Sequence, residues 1–210
     1  MREVVRRAIT GAAILLGGAA AWAGSIDTAF LEAPWPKQHV RDTEVGRYPV
    51  RWRERASKSE GIFASVQFDA PLGQHPVWEL ANQYQDVGQM TPGVTAVRYL
   101  EQSNTYEKIE VDVKILWKTL TLTFEVEKDP PRAVRFRLVD EALGDYRGVC
   151  LFQPVSPEAA DGGREATRVE LATWLQPARP VPMRLLLYVE RVTLLQGARR
   201  FLKACEPHRK

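Results

Sequence analysis

The chain has 210 residues, 45% apolar and 26% charged, which fits one folded domain with appendages. Its 29 basic and 26 acidic residues give +3, and without the first 23 residues the balance is 26 against 25, or +1. That excludes partners such as DNA or RNA that are held by a strong, clustered basic excess.

Arg2, Arg6 and Arg7 precede a run of small and apolar residues from Ala8 to Ala23, closing on Ala21-Trp22-Ala23. A charged head, an apolar stretch and small residues at −3 and −1 read as a secretory signal. An uncleaved anchor is the alternative. The uncharged stretch 8–26 would reach about 28 Å as a helix, against a bilayer core of about 30 Å. Its Gly and Ala content makes it weakly apolar, which favours cleavage and export. Residues 24–60 read as a connector, partly ordered at most, because Pro34, Pro36 and Pro49 interrupt regular structure. Within it, Val50 and Trp52 alternate with Arg51 and Arg53, the pattern of a short edge strand. The expected division is 1–23 signal peptide, 24–60 connector and 61–206 folded domain.

From Ile62 the pattern is regular. Phe63 to Phe68 predicts a strand that Pro71 ends. Val77, Leu80, Ala81 and Tyr84 recur at spacings of three and four, predicting a helix over 73–85. Pro92-Gly93 marks a turn. Strands then follow one another over 94–102, 106–115, 119–127, 134–138, 146–155 and 167–176. Ile109, Val111, Val113 and Ile115 alternate with charged residues, as do Leu120, Leu122, Phe124 and Val126 with polar ones. Each strand is therefore dry on one face and wet on the other. The parity changes between Ile115 and Leu120, which places a turn near Trp117-Lys118. Arg135 and Arg137 fall on the wet parity. The chain ends in a helix that Pro182 opens. Leu194, Leu195, Ala198, Phe201, Leu202 and Cys205 lie on one side of it, with Gln196, Arg199, Arg200 and Lys203 on the other. Its first half, Leu185 to Val192, is apolar almost all round.

Several segments carry a resemblance. Ala70-Pro71 precedes Val77-Trp78-Glu79-Leu80, and Met90-Thr91-Pro92-Gly93-Val94 follows. Tyr146-Arg147-Gly148-Val149-Cys150-Leu151-Phe152-Gln153-Pro154 is a Gly-centred strand ending in Phe-x-Pro. Ala166-Thr167-Arg168-Val169-Glu170-Leu171 and Arg199-Arg200-Phe201-Leu202 complete the set. In this order they resemble the SRPBCC superfamily, which holds START-like proteins, polyketide cyclases and dehydrases, and coenzyme Q-binding proteins. The resemblance covers about residues 61–206 and implies an α+β helix-grip fold: a curved antiparallel sheet wrapped around a long C-terminal helix, with a cavity between them. Members bind lipids, sterols, quinones or polyketides there. The superfamily has no universal catalytic motif, so the resemblance assigns no catalytic residue.

Candidate ligand-binding residues are Ile109, Val111, Val113, Phe124, Phe136 and Phe152 on strands, with Met183, Leu187 and Tyr188 on the helix. For each alone, ordinary core packing is the competing explanation. Tyr146, Tyr188 and Trp174 are candidates for a ligand's polar end. Cys150 and Cys205 are candidates for a disulfide once exported, provided their Cα atoms lie within about 7 Å. No metal or cofactor motif is present, and neither a nucleophile elbow nor a zinc-protease, phosphate-loop or dinucleotide pattern occurs. The reading is an exported binder or carrier of a hydrophobic small molecule or lipid, with membrane contact left open and oligomeric state undetermined. A cyclase or dehydratase enzyme and a membrane-associated interaction module are the alternatives.

Overall fold

The computed structural model describes residues 25–33, 40–83, 93–115, 118–140, 143–156 and 165–208. The signal segment 1–23, Tyr84 and the Met90-Thr91-Pro92 stretch lie outside the described residues.

A short helix, α1 (Ala29–Glu32), is followed by β1 (Val40–Val45), β2 (Tyr48–Ser57) and β3 (Gly61–Ala70). Helix α2 (Gln74–Ala81) comes next, then β4 (Val94–Gln102), β5 (Tyr106–Ile115), β6 (Lys118–Asp129), β7 (Ala133–Leu138), β8 (Gly144–Val155) and β9 (Ala166–Pro177). The long helix α3 (Met183–Cys205) ends in a single 3-10 turn. Among the described residues the strands form one sheet in the order β1-β2-β3-β9-β8-β7-β6-β5-β4, antiparallel throughout. This is the expected helix-grip architecture.

The period-two pattern sets the register. Ile109 stands opposite Phe124, Val111 opposite Leu122 and Val113 opposite Leu120, so the dry faces of β5 and β6 coincide. Ile115 stands opposite Lys118, and Trp117, where the parity change places the turn, lies outside the described residues.

The boundary at residue 61 is corrected. β2 pairs along β3 from Val50 opposite Phe68 to Ser57 opposite Gly61, and β1 pairs with β2. Val50 and Trp52 are buried in the main core. The alternation around Trp52 belonged to a full internal strand, because the arginines between its apolar residues face outward. One of them, Arg53, is held by Glu170. Residues 25–33 are also part of the folded body. Leu31 packs with Val149, Ala172 and Trp174 on the outer face of the sheet, and Phe30 meets the Trp174 ring edge-on at 5.4 Å.

Helix α3 rests on β1, β2 and β3. Leu194, Ala198, Leu202 and Cys205, spaced by three or four, form its buried stripe. Lys203 in the last turn complements the negative end of the helix dipole. At the other side α2 packs on β8 and β9, with Trp78 edge-on to Phe152 at 5.5 Å and Gln74 Nε2 donating to the Phe152 carbonyl at 2.8 Å.

Candidate functional site: an apolar cavity between sheet and helix

Because α3 rests mainly on the β1–β3 side, the inner face of the remaining strands is left without a lid of side chains over part of its area. A cavity of about 350 Å³ occupies this space. The strands supply Val66, Val97, Ile109, Val111, Val113, Phe124, Phe136, Phe152 and Leu171, among others, and the helix supplies Thr193, Leu194, Gly197, Ala198 and Phe201. Among the described residues, every lining side chain apart from Tyr146, Cys150, Thr173 and Thr193 is apolar, and none carries a charge. The cavity opens to solvent, and accordingly Phe124, Phe136, Tyr146 and Leu171 are only half-buried.

Of the candidates read from the sequence, Ile109, Val111, Val113, Phe124, Phe136, Tyr146 and Phe152 are brought together in this wall. Met183, Leu187 and Tyr188 are not. Helical lining begins at Thr193, and the first two turns of α3 run beyond the cavity. Met183 and Leu187 are half-buried there, while Tyr188 is 61% exposed. Leu185 and Val189 are exposed beside Tyr188, so the all-round apolar character of this half corresponds to an uncovered surface outside the cavity. Trp174 also leaves the set. It points to the outer face, donating its indole N–H to the Glu60 carbonyl at 2.7 Å. Arg135 and Arg137 are outward as expected, paired with Glu32 and Glu125.

The disulfide expectation is corrected as well, since both cysteines are free. Cys150 stands in the cavity wall on β8, opposite Leu171, whereas Cys205 is buried at the end of a helix that rests on β1–β3. Burial pushes both thiols up to about 12, so neither presents a thiolate near neutral pH.

Gly148 shapes one end of the cavity. The Phe136 ring lies directly on it, and a Cβ there would stand 2.1 Å from Phe136 Cζ. This close approach lets Phe136 lie edge-on to Phe124 at 6.2 Å and beside Tyr146 at 6.0 Å. Gly148→Val therefore displaces the Phe136 ring and lowers stability by about 1–3 kcal/mol, measured by urea denaturation. An unchanged midpoint would show that the ring yields without cost.

Sequence reading missed a polar group at the cavity wall. Thr173 Oγ1 lies 3.2 Å from Glu190 Oε2 and 3.4 Å from the Ala64 carbonyl oxygen, and the Tyr146 side chain lines the same wall on the neighbouring strand. Glu190 reaches the group from α3. Burial pushes its carboxyl up to about 7, against the opposing effect of the Thr173 hydrogen bond. Burial, and then the charge of Glu190, hold the Tyr146 phenol well above its ordinary value. The signal was present in the sequence as an acidic residue inside the otherwise apolar stretch Leu185–Val192.

Comparisons with known proteins agree with this architecture. The chain is similar to the Zhui aromatase/cyclase from Streptomyces sp. R1128, with TM-score 0.61 and 15% identity over 70% of this chain and 95% of that one. It is similar to a STAR-related lipid transfer protein from Xanthomonas axonopodis, with TM-score 0.59 and 12% identity over 80% and 99%. A START superfamily protein from Mycobacterium smegmatis gives TM-score 0.58 and 13% identity over 69% and 97%. At these identities the likeness shows the fold alone. No curated protein sequence matches. The profile of one family does match, over residues 70–202, more than half of the sequence, and by that match the chain belongs to the polyketide cyclase/dehydrase and lipid transport family.

Proposed function

We propose that this protein binds an uncharged hydrophobic molecule in the cavity between α3 and the sheet and carries it outside the cytoplasm. The observation that carries this reading is the open, charge-free apolar space of about 350 Å³. It lies at the lower end of the range for small-molecule sites, about 300–1,000 Å³. Covering about 250 Å² of a ligand's apolar surface would contribute roughly 6 kcal/mol before the cost of association. Binding of that size needs no ion pair, and the described wall offers none. Export rests on the signal-like pattern of residues 1–23. The test is organic extraction of gently purified protein followed by mass spectrometry. A stoichiometric apolar compound is the expected result, and an empty extract together with failure to take up any apolar probe overturns the reading.

A second reading, catalysis of the cyclase or dehydratase type, draws support from Glu190, whose carboxyl near neutrality suits general acid–base work. The carrier reading is preferred because Glu190 meets the cavity only through Thr173, and Tyr146 stays protonated and acts as a hydrogen-bond donor or acceptor rather than a base. The interaction-module reading rests on the connector and the N-terminal apolar stretch; a filled or absent cavity would favour it, and the open cavity does not.

A further inference from the structure

We propose that Tyr146, Thr173 and Glu190 form a polar seat for the single neutral oxygen of an otherwise apolar ligand, a hydroxyl or a carbonyl, with Glu190 as the positioning residue that decides which of the two is preferred. This rests on the carrier reading and narrows its ligand class.

The seat is the one place on the described wall where a hydroxyl-bearing side chain is joined to a carboxyl. Tyr146 on β8 and Thr173 on β9 both line the cavity, and Glu190 stands behind Thr173. The charged groups around it are committed elsewhere. Arg191, the next residue, is bound to both carboxylate oxygens of Glu54 on β2, and Arg41 on β1 lies 3.7 Å from the same glutamate. No cation is therefore turned toward Glu190 among the described residues. A ligand carboxylate would meet a wall without positive charge and with a carboxyl behind it, so charged fatty acids are disfavoured.

The hydrogen-bond chain has two directions. When Glu190 is ionised it accepts from Thr173, and the Thr173 oxygen offers the cavity only lone pairs. That state suits a ligand hydroxyl, which donates. When Glu190 is protonated it donates to Thr173 Oγ1, whose own hydrogen is then free to turn from the carboxyl toward the cavity. That state suits a carbonyl. The apolar surroundings hold the carboxyl protonated to about 7, so the preference changes over the neutral range.

The test uses decane, decanol, methyl octyl ketone and decanoate as competitors for Nile red bound to the full protein. In wild type, the ketone at pH 6 and the alcohol at pH 8 displace the dye about tenfold better than decane, the worth of one net hydrogen bond. Decanoate is the weakest competitor at pH 8. The ketone-to-alcohol ratio falls as pH rises from 6 to 8. In Glu190→Gln the ratio no longer changes with pH, and in Thr173→Val both oxygenated probes fall to the level of decane. The Gln variant also has a higher thermal midpoint than wild type at pH 8, and the difference closes as the pH falls to about 4. The carboxyl's value is raised on folding, so the charged form costs stability only above its unfolded value. Equal binding of decane, decanol and ketone, or a pH-dependent ratio that survives Glu190→Gln, overturns the seat while leaving the carrier reading intact. Failure of every probe, decane included, overturns the carrier reading and the seat with it.

Discussion

Gly197→Phe lowers the affinity for Nile red at least about tenfold while the ligand-free protein keeps its thermal midpoint within a few degrees of wild type. Gly197 sits in the cavity-facing stripe of α3, and a Cβ built on it meets no heavy atom within 4 Å. A bulky side chain therefore enters empty space rather than a packed core, and it occupies the volume a ligand would use. Gly197→Ala is the control. It removes the flexibility of a mid-helix glycine, stabilises the helix by up to about 1 kcal/mol, and leaves most of the cavity open. The comparison must be made on delipidated protein, since a retained ligand raises the wild-type midpoint by mass action. A folded Phe variant with wild-type affinity would place binding somewhere other than this cavity.

Lys128→Met costs about 3–5 kcal/mol, which at this chain length lowers the thermal midpoint by roughly 10 °C or more. Lys128 Nζ lies 2.5 Å from Glu107 Oε1, with their side chains 12% and 1% exposed. Gln102 Nε2 donates to the same oxygen at 3.2 Å, while Glu107 Oε2 is buried without a hydrogen-bond partner. Removing the ammonium leaves a carboxylate in a dry site with a single neutral donor. The double variant Glu107→Gln/Lys128→Met removes both charges and recovers most of the loss, because the penalty comes from the stranded charge rather than from the pair itself. Equal destabilisation in the single and double variants would contradict this account of the pair.

These two sites show where alternation stops being informative. The inner parity of β5 runs Glu107, Ile109, Val111, Val113, and that of β6 runs Phe124, Val126, Lys128. The apolar centres were legible because period two makes a face of them. The charged ends of the same rows looked like solvated residues, since nothing local in sequence reveals that Glu107 and Lys128, 21 positions apart, meet in a buried pair. The strand half of the cavity wall was readable for the same reason that the sheet was. The helical half was not. A helix that is apolar on every side does not say which turns the sheet covers, and the turns at Leu185, Tyr188 and Val189 proved to lie uncovered. Gly197 and Glu190 were overlooked because a missing side chain and a lone acid break the apolar pattern that identified their neighbours. Trp52 is the converse case. Its alternation was visible, but the prolines around it favoured a connector, and only the pairing of β2 with β3 outweighs them.

Co-crystallisation with bromodecane tests the central claim most directly. The account requires an anomalous bromine peak inside the space bounded by Val111, Leu171 and Gly197, with the sheet and α3 in the positions described. A cavity closed by inward movement of α3 and carrying no peak, or bromine confined to the exposed face of Leu185, Tyr188 and Val189, would contradict it.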